Sequence, residues 1–243
     1  MINVLINGCG GKMGKEVLNQ ITFSENYSFF FGFDRNSSIS DISGVPDVII
    51  DFSTPSAAMN ILDYAKANKV PIVIATTGFT DEQEKIIKDT AKELPIFKSS
   101  NMSYETNLFI SLVSKLAPVL NDSDIEIVEV HHNRKVDAPS GTALMIANGI
   151  NKALDNSMHY EFDRHSKKQP RDKKEIGIHS IRGGSEVGKH SVFFFGNDES
   201  LEISHTVNSR SVFAKGAIKA AGFIVNQKNG LYDMNDLVNS RNV

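Results

Sequence analysis

A chain of 243 residues with 40% apolar residues and 17 glycines has the length and make-up of one large globular domain or two modest ones. Its 29 acidic and 26 basic residues leave a net charge of -3, so there is no broad basic field for nucleic acid. A single cysteine excludes an internal disulfide framework and points to a reducing, cytoplasmic setting. The opening residues Ile2-Asn3-Val4-Leu5-Ile6 lack the basic and long apolar stretches of a secretory leader, and no apolar run has membrane-spanning length. A membrane partner is therefore not expected.

Along the first hundred residues, β-rich runs at 2–6, 28–33, 47–52, 72–76 and 96–98 alternate with stretches of helical spacing at 13–21, 56–68 and 81–93. The punctuation agrees: Thr54-Pro55 places a hydroxyl cap before a proline at the first helical position, and Thr80 with Gln83 forms a capping-box pattern. Such alternation predicts an α/β fold with a parallel sheet covered on both faces, of the dinucleotide-binding Rossmann type. After Ser103 the pattern changes. A helix is expected over 104–120, with Pro118 weakening its last turn, then a strand over 124–131, a loop, and a helix from 141 to 154. Residues 155–174 are polar and basic and read as an exposed loop. Strands at 176–181, 187–195 and 201–207 follow, and a helix over 212–225 ends the pattern. A second domain with a mixed sheet is thus expected from about residue 103.

Gly8-Cys9-Gly10-Gly11-Lys12-Met13-Gly14 lies between the first strand and the first helix. A pyrophosphate needs close backbone approach and free N–H groups at a helix N-terminus, and glycines permit both. The spacing is not a clean G-x-G-x-x-G, because Met13 stands at the last glycine; the strand-turn-helix context is what gives it weight. The second strand ends at Asp34, which suits ribose hydroxyls and favours NAD, and Arg35 follows, which suits a 2′-phosphate. Both NADH and NADPH are therefore expected as cofactors. The turn at Ala75-Thr76-Thr77-Gly78 and the segment Ser99-Ser100-Asn101-Met102 lie at the carboxyl ends of strands, where the nicotinamide of a doubly wound sheet is bordered.

The densest chemistry is in Glu129-Val130-His131-His132-Asn133-Arg134-Lys135-Val136-Asp137-Ala138-Pro139-Ser140-Gly141-Thr142-Ala143. Histidine exchanges a proton near neutral pH, lysine holds a carboxylate, and Ser140-Gly141-Thr142 opens a helix whose N–H groups form an anion site. Two such features within ten residues predict a small ligand with two carboxylates. The histidine spacing fits no zinc site, and no metal is expected. An acylating semialdehyde dehydrogenase would need a cysteine at the nicotinamide, and Cys9 lies in the phosphate loop instead. A nicotinamide-sensing regulator would need a DNA-recognition helix, which no segment resembles.

The histidine segment resembles the signature of the 4-hydroxy-tetrahydrodipicolinate (dihydrodipicolinate) reductase family, which serves the diaminopimelate route to lysine. The resemblance extends through Gly8–Gly14, Asp51-Phe52-Ser53-Thr54-Pro55, Thr76-Thr77-Gly78-Phe79, Asn101-Met102-Ser103, Arg182-Gly183-Gly184 and Phe213-Ala214-Lys215-Gly216-Ala217. It implies that His131 is the general acid, that Lys135 is a second catalytic group or carboxylate contact, and that His132, Gly141 and Thr142 bind the substrate. On the cofactor side it implies Gly8, Cys9, Gly10, Gly11, Lys12, Met13, Asp34, Arg35, Ala75, Thr76, Thr77, Ser99, Ser100, Asn101 and Met102. Ala75 stands where the family commonly has glycine, and Lys189 where it often has glutamate. The resemblance also implies that residues 1–102 and 214–243 form the dinucleotide-binding domain. Residues 103–213 would then form a substrate-binding domain that builds a homotetramer.

Overall fold

A computed structural model describes residues 1–240; residues 241–243, which the sequence reading gives to the first domain, lie outside the described residues. In chain order the first elements are β1 (Ile2–Asn7), α1 (Lys12–Thr22), β2 (Tyr27–Phe33), β3 (Val48–Asp51), α2 (Pro55–Asn68), β4 (Ile72–Ile74), α3 (Asp81–Thr90) and β5 (Pro95–Lys98). Then come α4 (Tyr104–Leu116), β6 (Asp124–His131), α5 (Gly141–Ala153), β7 (His159–Glu161), β8 (Glu175–Arg182), β9 (Gly188–Phe195) and β10 (Ser200–Val207). The described chain closes with α6 (Ser211–Ile224), β11 (Gly230–Tyr232) and α7 (Met234–Asn239). Two compact units result, one from Met1–Tyr104 with the chain from Ser211 onward, the other from Glu105–Arg210.

The first unit carries a six-stranded sheet in the order β11-β5-β4-β3-β1-β2, parallel throughout. Its central strands are apolar without alternation, as in Val48-Ile49-Ile50, because both faces are covered. Leu5, Ile49, Ile72, Ile74 and Ile96 pack with Ile61, Leu62 and Ala65 of α2 and Ile87 of α3. Small residues of α6, including Ala217, Ala220 and Ala221, are fully buried and let that helix lie close to β3, β4 and β5. At Gly216 the approach leaves no room for a side chain, since a Cβ would run into the Met102 carbonyl. The strand order reverses between β1 and β3, the place where doubly wound sheets bind ligands.

In the second unit a five-stranded sheet has the order β10-β9-β6-β8-β7, with β6, β8 and β7 parallel and β9 and β10 antiparallel. Residues of β6 alternate strictly between buried and half-buried, so one face is buried at Ile125, Ile127, Glu129 and His131. Phe109, Val113 and Ala117 from α4 and its continuation, with Ile146, Ala147 and Ile150 from α5, cover the apolar part of that face. The other face carries Phe193 and Phe195, stacked with ring centroids 5.5 Å apart. Phe195 and Ile181 are exposed.

Several boundaries correct the sequence expectations. The helix expected to reach residue 120 stops at Leu116, and Leu116 carbonyl-bonded turns complete the segment that contains Pro118. The Thr54 hydroxyl makes no cap bond to α2, whereas Thr80 and Gln83 close the expected capping box on α3. The segment 155–174 is not all loop, since it contains β7, which pairs with β8 beyond it. Lys167 pairs there with the buried Glu161, and Arg164 with the buried Glu175. Arg171 reaches Asp124 at 3.1 Å and Glu126 at 2.9 Å. Beyond α6 the sequence reading had no element, yet β11 extends the first sheet beside β5 and α7 follows, capped by Asp233. Among the described residues no helix is long and apolar enough to cross a membrane.

Candidate functional site

In the first unit, a cavity of about 550 Å³ opens at the reversal of strand order. Asn7 and Gly8 come to it from the end of β1, Phe33, Asp34 and Arg35 from the end of β2, and Phe52, Ser53 and Thr54 from the end of β3. Gly8 has a φ of +82°, and a Cβ there would collide with the Phe52 carbonyl. Asp34 already holds the loop: its Oδ2 accepts from the Gly10 N–H at 2.9 Å and its Oδ1 from the Arg35 N–H at 2.8 Å. The room it occupies exists because Gly10 has no side chain. α1 starts from Gly11 without any side-chain cap, which leaves its first N–H groups to a ligand. These features fit a dinucleotide with its pyrophosphate on the glycine loop.

Of the other residues expected on the cofactor side, Cys9 in the loop and Met13 in the first turn of α1 are half-buried, and Lys12 and Arg35 are exposed. Burial and the Asp34 charge both raise the pKa of the Cys9 thiol. Ala75, Thr76 and Thr77 follow β4, and Ser99, Ser100 and Asn101 follow β5, so both turns lie at the carboxyl end of the sheet. Met102 is buried, with its carbonyl facing Gly216. Sequence reasoning gave no role to the buried pair Asn7 and Asp51, which lie side by side on β1 and β3. Asp51 Oδ1 accepts from Asn7 at 2.7 Å and from Ser53 at 2.5 Å, while Oδ2 has no partner. Burial raises the Asp51 pKa against the lowering effect of those hydrogen bonds.

The second unit gathers the histidine segment around the end of β6. His131 is its last residue, and His132 and Lys135 lie in the turn that follows. Glu129, two residues before His131 and so on the same face, is completely buried. Its Oε2 is 2.5 Å from His131 Nδ1 and 2.8 Å from Arg182, and its Oε1 accepts from Arg182 at 2.7 Å and from the Ser140 N–H at 3.1 Å. Burial alone would raise the Glu129 pKa; the hydrogen bonds of Arg182, Ser180 and His131 outweigh it and hold the value at about 2. The carboxylate is therefore charged at neutral pH.

Arg182 is set opposite His131 by the parallel register of β6 and β8. From β9, His190 stands edge-on to His131, with ring centroids 5.2 Å apart, and its Nε2 is 3.0 Å from the Ser140 hydroxyl. Burial and the neighbouring His131 push the His190 pKa down to about 4, so that ring is neutral. Ser140 also caps α5, accepting from the Ala143 N–H at 3.1 Å. Above Gly141 a Cβ would meet open space. Lys135 is paired with Asp137 at 2.8 Å, and His132 Nδ1 is buried without a partner. Thus His131, His132, Lys135, Gly141 and Thr142 all belong to one unit. The sequence assigns no role to Glu129 or Arg182, and no local pattern marks His190. Among the described residues no cluster fits a metal ion.

The family described as "Dihydrodipicolinate reductase, N-terminus" matches residues 2–102, and "Dihydrodipicolinate reductase, C-terminus" matches residues 106–238. The chain is 47% identical to the 4-hydroxy-tetrahydrodipicolinate reductase of Caldanaerobacter subterraneus subsp. tengcongensis, over 98% of each chain. It is 46% identical to that of Brachyspira hyodysenteriae, over 98% of this chain and all of the other. A solved dipicolinate-bound dihydrodipicolinate reductase from Paenisporosarcina sp. TG-14 superposes with a TM-score of 0.80 at 26% identity, over 97% of this chain and 99% of that one. With both halves matched in order and relatives that align from end to end, the chain belongs to the dihydrodipicolinate reductase family of NAD(P)H-dependent oxidoreductases.

Proposed function

We propose that the protein reduces 4-hydroxy-tetrahydrodipicolinate to tetrahydrodipicolinate in the diaminopimelate route to lysine, taking up one hydride and one proton and releasing one water. The observation that carries this reading is the placement of His131, backed by the charged Glu129, in the same unit as Lys135 and the open N-terminus of α5. A bound reduced nicotinamide supplies the hydride. The Gly8–Met13 backbone and the start of α1 hold its pyrophosphate, and Asp34 accepts from ribose hydroxyls. Ala75, Thr76, Thr77 and Ser99 through Met102 border the nicotinamide end. In the second unit, the N–H groups at Gly141 and Thr142 receive one substrate carboxylate, and Lys135 with His132 orients the other. His131 then donates its Nε2 proton to the substrate skeleton, because Nδ1 is engaged by Glu129. The dipicolinate in the related solved structure is a dicarboxylate of the same kind. Cofactor oxidation that depends on this substrate is the test.

Cofactor choice belongs to the same proposal. Arg35 lines the cavity beside Asp34 and is exposed, so it is free to meet a 2′-phosphate. Arg35→Ala is expected to weaken NADPH about tenfold and leave NADH within about twofold, roughly one exposed charge-assisted contact. Fluorescence titration with each cofactor checks it, and equal losses would refute the assignment. A cytoplasmic location accords with the unpaired Cys9.

A homotetramer completes the reading, built on the sheet face that carries Phe193, Phe195 and the exposed Ile181. Light scattering at micromolar concentration is expected to give four times the chain mass. A stable monomer would remove the assembly from the account.

A further inference from the structure

We propose that Glu129 is the positioning residue of the active-site acid, fixing the tautomer and rotation of His131 through Nδ1, with Arg182 and the Ser140 N–H fixing Glu129 in turn. The inference rests on the reading of His131 as the acid and assigns a role to groups that this reading does not use.

Three features distinguish this arrangement from a simple strand-to-strand ion pair. A pair between β6 and β8 would be complete with Arg182 alone, which already spans both carboxylate oxygens at 2.7 and 2.8 Å. Oε2 is nonetheless shared with His131 at 2.5 Å, so the ring is tied to an oxygen that Arg182 holds in place. The His131 ring is also bounded on its other side. A Cβ at Gly188 would come within 3.0 Å of Nε2, so the absent side chain leaves the proton-donating nitrogen its space. The third feature concerns competition. His190 is the other imidazole beside His131, and it turns its Nε2 to the Ser140 hydroxyl instead of to Glu129.

The chemical consequence follows from hydrogen-bond inventory. A carboxylate only accepts, so Nδ1 must carry a proton in both the neutral and the charged ring. Every proton gained or lost by His131 then moves at Nε2. The acid is then the charged ring, whose Nε2 proton is the one given up. A ring free to rotate or change tautomer would instead spend time with its exchangeable proton on Nδ1, or with the wrong nitrogen toward the substrate. The orienting carboxylate removes those states without touching substrate or cofactor.

The test uses the full-length protein with ¹⁵N-labelled histidine, the His131 signals being assigned by their loss in His131→Gln. In the wild type, neutral His131 is expected to carry its proton on Nδ1, with Nε2 unprotonated. Glu129→Gln presents an amide that also donates, and the ring is expected to shift toward the Nε2-protonated tautomer. In the same variant kcat is expected to fall on the order of 10²-fold, with KM and cofactor affinity within about twofold. An Nε2-protonated tautomer in the wild type would overturn the proposal, and this arm needs no variant to fold. A Glu129→Gln protein with unchanged tautomer and unchanged kcat would overturn it as well. If the tautomer shifts while His131→Gln keeps normal turnover, the positioning stands and the assignment of the acid falls.

Discussion

Arg182→Met is expected to cost about 3–5 kcal/mol of stability, the loss found when one partner of a buried ion pair is removed. The cause is the carboxylate that remains. Glu129 is fully buried and held at a pKa of about 2, so without the guanidinium its charge loses its one full counter-charge and keeps only the bonds from His131 and the Ser140 N–H. Urea unfolding followed by circular dichroism reads the effect. Adding Glu129→Gln to Arg182→Met removes the stranded charge and is expected to recover much of the loss, because an uncharged pair of similar volume carries a far smaller desolvation cost. The pH dependence has a definite sign. The folded pKa of Glu129 lies below its ordinary value of 4.5, so its contribution is present above that value and fades as the pH falls toward 2. A loss of less than about 1 kcal/mol in Arg182→Met, the range of exposed pairs, would show that Glu129 is solvated in solution.

Turnover is the quantity that His131→Gln should change most. Removal of a general acid is expected to lower kcat by about 10²–10⁴-fold. Lys135→Ala is expected to change both kcat and KM, because a carboxylate contact operates in the ground state and in the transition state alike. The pairing of Lys135 with Asp137 gives this variant a second signature. An arriving carboxylate shares or competes for the Nζ with Asp137, so the lysine is used for binding before any chemistry occurs. Cofactor affinity should be unchanged in both variants, since the glycine loop belongs to the other unit. Steady-state kinetics with a separate fluorescence titration of cofactor checks both. Near-normal turnover in His131→Gln would pass the acid role to His132, whose Nδ1 is buried and unpartnered.

The parts of this protein that were legible in its sequence are those whose chemistry is local. The glycine loop announces itself because the turn, the helix start and the strand before it are contiguous, and Asp34 is found by counting to the end of the next strand. Ser140 reads as a cap because the apolar spacing of α5 starts directly after it, and the cap is there. Pairing across long separations was not legible. Arg182 reaches Glu129 across 53 positions, through a parallel register that no local pattern encodes. His190 joins the cluster by antiparallel pairing with Glu129, and nothing in the residues around it marks it. The short strands β7 and β11 escaped for a different reason. Three residues are too few for a period of two to show, and each strand exists because a longer neighbour offers it an edge. Most of the polar run before β8 is exposed, as its composition suggests, but composition does not show that Arg164, Lys167 and Arg171 are held by Glu175, Glu161, Asp124 and Glu126.

The proposed activity is reduction of a cyclic dicarboxylate with a nicotinamide cofactor. Its most direct measurement is the oxidation of NADH and of NADPH by the purified protein, with and without freshly generated 4-hydroxy-tetrahydrodipicolinate. Both cofactors are expected to be oxidised, only when substrate is present, with one cofactor consumed per substrate and dipicolinate acting as a competitor. Binding of both cofactors without any substrate-dependent oxidation of either would contradict it.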